Sequence, residues 1–114
     1  MNEEALALLQ RVLAIKETLY GTKNVEVARC LEDLAQLEAH RENFQAAATL
    51  QGRCIEILEK TFGSEHREVA LALRSLASTY YRQGDYDRAT IPLERSLAVV
   101  EKSLGACLKS KIFD

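Results

Sequence analysis

The stretch Leu73-Arg74-Ser75-Leu76-Ala77-Ser78-Thr79-Tyr80-Tyr81-Arg82-Gln83-Gly84-Asp85-Tyr86-Asp87-Arg88-Ala89 decides how the chain folds. Leu73, Leu76, Ala77 and Tyr80 share one face of a helix at 3.6 residues per turn. Gly84 can adopt the left-handed backbone that closes a helix end, and the apolar pattern resumes at Tyr86 and Ala89. The stretch therefore reads as helix, tight turn, helix. Ala77 and Ala89 are small enough for the two helices to approach, and Tyr80 and Tyr86 are expected to fill the wedge around their crossing.

Outward from that unit a period of 42 residues appears. Gly21, Gly63 and Gly105 share it, as do Tyr20, Phe62 and Leu104, Arg11, Arg53 and Arg95, Glu17, Glu59 and Glu101, and Ala5, Ala47 and Ala89. Val27, Leu31, Leu34 and Ala35 lie at i, i+4, i+7 and i+8, and Val69, Leu73, Leu76 and Ala77 repeat the series one period later. Small and apolar residues recurring in this way are what stacked units need where they pack against neighbours. The pattern predicts helices at about 3–20, 25–40, 44–61, 67–82 and 86–103, with Gly21, Gly63 and Gly105 each ending one. Pro92 should bend the fifth helix locally, and Gly52 in the third suggests close approach of a neighbouring helix. Nothing alternates polar and apolar for long enough to be a strand, so the chain is all-α with about five helices.

The series Leu73-x-x-Leu76-Ala77-x-x-Tyr80-x-x-x-Gly84-x-Tyr86-x-x-Ala89 resembles the tetratricopeptide signature. The longer period, with Ile57-x-Glu59-Lys60-x-Phe62-Gly63 leading into Gly63-x-x-His66-x-x-Val69-Ala70, is similar to the kinesin light chain type of that repeat. The resemblance covers about 5–105. It implies antiparallel helix pairs stacked into a right-handed superhelical solenoid, with a concave surface lined by the first helix of each pair. The implied division is a repeat domain over 1–105, made of a partial repeat at 3–20 and full repeats at 25–61 and 67–103, followed by a tail or cap at 106–114.

The first full repeat departs from the signature. Glu38 and Glu42 stand where the second has Tyr80 and Gly84, so Asn43 is expected to make the turn alone and the packing to be looser. Leu108, Ile112 and Phe113 in the tail could lay helix over the open end. Otherwise the chain continues into a longer array, or its ends pair with another copy.

Composition narrows the function. Over 114 residues, 47% are hydrophobic and 28% charged, which fits a folded domain rather than a disordered chain. The formal charge of −2 argues against nucleic acid or an anionic membrane as partner. No apolar run of about eighteen residues occurs, and the acidic start Met1-Asn2-Glu3-Glu4 is unlike a secretory signal, so a cytoplasmic location is expected. Cys30, Cys54 and Cys107 are too few and scattered for a disulfide framework and read as reduced, mostly buried thiols. His40 and His66 lack metal-ligand spacing; His40 suits a helix end and His66 a turn. No phosphate loop, nucleophile elbow or zinc-protease helix is present, and Glu3-Glu4 and Glu32-Asp33 diverge around a helix, so neither catalytic residues nor a cofactor or metal is expected.

What remains is binding of a protein or peptide. The resemblance carries the concave positions onto Arg29, Glu32, Asp33, Gln36, Ala39 and His40 in the first pair and Leu71, Arg74, Ser75, Ser78, Tyr81 and Arg82 in the second. Kinesin light chain repeats have adjacent asparagines where this chain has Glu32-Asp33 and Arg74-Ser75, and the Lys and Asn set of a carboxylate clamp is also missing. An acidic wall of Glu32 and Asp33 opposite a basic wall of Arg74 and Arg82, with Tyr81 as aromatic contact, would suit a segment carrying both charge signs around an apolar anchor. The rival expectation is a structural module that forms homo-oligomers or arrays through its terminal helices.

Overall fold

Val27 and Val69, and Leu31 and Leu73, are two period-related pairs, and they are the largest side chains fully withdrawn from solvent. The core is thus built on the residues that carry the repeat. The computed structural model describes the backbone of residues 2–113 and the side chains of 3–105. Five helices follow one another: α1 (Asn2–Tyr20), α2 (Val25–His40), α3 (Phe44–Phe62), α4 (Arg67–Gln83) and α5 (Tyr86–Phe113). No strand occurs among the described residues, and no helix there is long and apolar enough to cross a membrane.

The turns are short enough to return each helix antiparallel to the last. Among the described residues, substantial packing joins only sequence neighbours, α1 to α2, α2 to α3, α3 to α4 and α4 to α5. The Cα radius of gyration is 15.9 Å, above the 13–14 Å or so of a compact domain this long. The molecule is an open stack measuring 53 × 36 × 20 Å, rather than a closed bundle. Its main core joins Val27, Leu31, Cys54, Ile55, Leu58, Val69 and Leu73 across α2, α3 and α4. Where the helices of a pair cross, Ala35 and Ala47 are both 0% exposed, and Ala77 and Ala89 are 1% and 2% exposed. A larger side chain has no room there.

The starts of α2 and α4 are capped by side chains. Asn24 Oδ1 accepts the Glu26 N–H at 2.8 Å, and one period later His66 Nδ1 accepts the Glu68 N–H at 3.1 Å. His66 also stacks on Phe62, with ring centroids 4.4 Å apart. The Arg and Glu columns of the period form ion pairs between second helices: Arg53 lies 3.9 Å from Glu17 and Arg95 3.2 Å from Glu59.

Several expectations need correction. Gly105 does not end a helix, and α5 runs through it to Phe113. After Gly21 and Gly63 come turn residues and an N-cap, whereas Ala106-Cys107-Leu108-Lys109 after Gly105 are helix-compatible. Capping of the open end by Leu108, Ile112 and Phe113 falls outside the described side chains. Gly52 does not mark a close approach, since a Cβ built on it meets nothing within 4 Å. The first-repeat turn is made by Glu42, which takes φ 66°, while Asn43 has φ −87° and makes no side-chain cap. Nor is that repeat loosely packed. Ala35, Ala39 and Ala47 cluster under Phe44, and Glu38 accepts from Arg41 at 3.1 Å and Asn43 at 3.4 Å. Tyr86 does not fill the crossing either. It is 59% exposed and stands edge-on to Tyr81 at 5.0 Å. Its counterpart Phe44 is covered by Arg82 from the next helix pair, 5.4 Å above the ring, and no helix packs beyond α5 among the described residues to do the same for Tyr86.

Candidate partner-binding groove

α2 and α4, the first helices of the two pairs, form the walls of a groove floored by α3. Its larger part is a cleft of about 450 Å³ with Cys54 and Leu58 at its base, Ala28, Glu32 and Gln36 on one wall, and Glu68, Leu71 and Ala72 on the other. Gln36 and Ser75 carry the cleft into a second pocket of about 220 Å³, where Arg74, Ser78 and Arg82 gather with Ala39, Gln51 and Thr79. Helical spacing explains the walls, because positions three, four and seven apart repeat along one face.

Of the sequence-predicted residues, Arg29, Glu32, Gln36, Leu71 and Ser75 line the cleft, and Arg74, Ser78 and Arg82 line the pocket with Ala39. Asp33, His40 and Tyr81 are exposed and line neither. Asp33 follows Glu32 by one residue and so points about 100° further round the helix. The charges do not face one another as two opposed walls. They separate along the groove, with Glu32 and Glu68 reaching the cleft from opposite walls and Arg74 and Arg82 together in the pocket. None of these four is in an ion pair among the described residues. Arg29, at the cleft's edge, lies 3.8 Å from Glu26.

The interior of the groove is held by a polar network that the sequence did not announce. Thr79 Oγ1 donates to Gln51 Oε1 at 2.7 Å, and Gln51 Nε2 donates to the Ser75 carbonyl at 3.3 Å, tying α3 to α4. Both side chains are 3% exposed. Gln51, Cys54 and Leu58 fall at i, i+3 and i+7, so the signal for this floor was present as a second face of the third helix. Arg82 has a structural contact as well: its Nη2 donates to the Ala39 carbonyl at 3.4 Å.

Burial pushes the Cys54 thiol up to about 12, and the Glu32 and Glu68 carboxylates push in the same direction. Cys30 is raised too, chiefly by burial, with Lys16 opposing. Neither thiol is poised to act as a nucleophile. Glu32 is distinctive: Oε1 accepts from Gln36 Nε2 at 3.2 Å, while Oε2 is shut off from solvent with no hydrogen-bond partner among the described residues.

The family model described as Tetratricopeptide repeat matches the chain twice, over residues 1–60 and 35–102. The chain belongs to the tetratricopeptide repeat family. Solved structures share its fold. BtubC (BKLC) from P. vanneervenii superposes with a TM-score of 0.83 at 24% identity, over 89% of this chain and 40% of that one. A Podosopora anserina protein designated a kinesin light chain, with nearly identical TPR-like repeats, gives a TM-score of 0.75 at 27% identity, over 89% of this chain and 48% of that one. The second neighbour carries the name of the repeat type that the 42-residue period resembles. The tetratricopeptide chain described here spans less than half the length of either. No curated protein sequence matches it. Tetratricopeptide repeats are in general a protein-interaction fold, and the groove is one of the concave surfaces this member offers.

Proposed function

We propose that this tetratricopeptide chain is a non-catalytic adaptor or scaffold segment that holds an extended stretch of a partner protein in the groove between α2 and α4. Continuity of the groove carries the reading. Cleft and pocket share Gln36 and Ser75, so one ligand can touch both without crossing a ridge. The apolar floor offers burial and the polar rim offers orientation, the usual division of labour in a binding site. Glu32, Gln36, Leu71, Arg74, Ser75 and Ser78 are the contacts expected to matter most; Asp33, His40 and Tyr81 belong to the outer rim. Peptides panned from a random display library against the intact chain, followed by amide-shift mapping, test this. Shifts centred on Gln36, Ser75 and Ser78 are expected; shifts confined to α1 or to the outer face of α5 would defeat the proposal.

A second reading, self-association, has its own observation. Leu8 and Ile15 on α1 are 59% and 58% exposed, yet they stand two periods before Pro92 and Val99, which are buried where α5 meets α4. Among the described residues, no helix packs on this face of α1. On α5, Leu93, Leu97, Val100 and Leu104 are exposed along one stripe. Sedimentation over a range of concentrations tests this reading: a mass that rises with concentration supports it, and a constant monomer mass excludes it.

A further inference from the structure

The 450 Å³ cleft and the 220 Å³ pocket differ in the sign of their uncommitted charge. In the cleft, Glu32 and Glu68 stand on opposite walls above the apolar surface of Leu58, Leu71 and Ala72. Neither carboxylate is in an ion pair among the described residues, and Glu32 Oε2 lacks any donor while out of contact with water. A buried acceptor left in that condition is costly, and a charged donor that reaches it gains more than a neutral one. The group holding Oε1 is Gln36, an exposed side chain, so a ligand that displaces it breaks one solvent-exposed hydrogen bond.

We propose that the cleft takes the side chain of a lysine or arginine from the bound segment, its aliphatic stem along Leu58, Leu71 and Ala72 and its cationic head between Glu32 and Glu68. Such a chain matches both the apolar floor and the paired acids, since long basic side chains bury their stems and keep the head among polar groups. The inference rests on the groove reading above. It adds a second requirement: the same segment presents an acidic side chain to Arg74 and Arg82. The linings of the two compartments on α4 are centred about six residues apart, which is about 9 Å of helix, or roughly two to four residues of extended peptide. The recognised pattern is therefore a basic and an acidic residue roughly two to four positions apart in a fixed order.

Panning a random-peptide display library against the intact chain, with fluorescence anisotropy on the enriched peptides, decides the matter. The expected consensus contains that pair. Glu32→Gln and Glu68→Gln, each close to isosteric, are expected to weaken these peptides about tenfold or more, with Arg74→Glu weakening them through the acidic residue. A peptide whose basic residue is replaced by norleucine should lose the same affinity on the native chain and be indifferent to Glu32→Gln. Melting curves confirm that each variant is folded, and Glu68→Gln carries the comparison should Glu32→Gln unfold. Peptides that bind and respond to Arg74→Glu, yet show no basic preference and ignore both glutamine variants, overturn this inference and leave the groove reading standing. Enriched peptides indifferent to every groove substitution overturn both.

Discussion

Glu42 stands one period before Gly84 and takes the same left-handed backbone, with φ 66° against 91°. The hydrogen bonds around the two residues also correspond. Asn43 N–H reaches the Glu38 carbonyl at 2.8 Å and Glu42 N–H the Ala39 carbonyl at 3.0 Å; Asp85 N–H reaches Tyr80 at 2.9 Å and Gly84 N–H reaches Tyr81 at 3.0 Å. Both are Schellman closures, imposed by the need to bring the second helix back onto the first. A glutamate there is strained by roughly 1 kcal/mol, offset in part by the unfolded-state freedom a glycine would have. Glu42→Gly is expected to raise stability by about 0.5–1 kcal/mol, and Gly84→Ala to lower it by about 1–2 kcal/mol. Urea titrations with unchanged m-values check both signs.

His66 works as a cap, a role shared with Asn24 one period earlier. His66→Asn should keep the Glu68 N–H satisfied, whereas His66→Ala should cost about 1 kcal/mol. Equal losses from both substitutions, measured by thermal melting, would mean that stacking on Phe62 rather than capping is what His66 contributes.

Gly52 sits in the middle of α3 with open space where a Cβ would lie. Gly52→Ala should therefore stabilise by about 0.5–1 kcal/mol. Ala77, 1% exposed at a helix crossing, gives the opposite case: Ala77→Leu should destabilise by about 1–3 kcal/mol through overpacking. The pair of denaturation curves should move to either side of the parent.

These cases show what was legible in the sequence. The five helices and the crossing alanines could be read because a packing requirement repeated every 42 residues leaves the same residue types behind. Glu42 could not be read as a left-handed residue, since the backbone there obeys the hairpin geometry and overrides the residue's preference. Gly105 misled for the converse reason: it matches Gly21 and Gly63, but no capping residue follows it to start another helix. In the groove, Glu32, Gln36, Arg74 and Ser75 were reachable through the resemblance to the kinesin light chain repeat, whose concave positions fall on them. Glu68 and the Gln51–Thr79 bond were not, because they depend on which faces of three helices converge.

Cys54 ties the groove floor to alkaline stability. Burial raises its thiol to about 12 in the folded chain, from 9.0 without the fold around it. Between those values the folded state holds the proton and the unfolded state has lost it, so stability falls as pH rises, by up to about 1.4 kcal/mol per pH unit from this group. Cys54→Ala should flatten the decline in urea-measured stability above about pH 9, with the difference from the parent shrinking as pH rises. At neutral pH, Cys54 should react with a thiol reagent only as fast as the core opens.

Arg74 and Arg82 share a pocket but not a role, and this separates binding from folding. Arg82 reaches over the turn between α2 and α3, donating to the Ala39 carbonyl at 3.4 Å and lying 5.4 Å above the Phe44 ring. Arg74 makes no such contact among the described residues. A hydrogen bond of that length and an exposed cation over an aromatic face together contribute about 1 kcal/mol. Arg82→Met is therefore expected to lower stability by about 0.5–1.5 kcal/mol, and Arg74→Met by less than about 0.5 kcal/mol. If the groove binds as proposed, both substitutions weaken an acidic peptide, but only the first shifts the melt. A melt that moves equally for both would mean that Arg74 also braces the stack, and a pure binding variant would then have to be sought at Ser78.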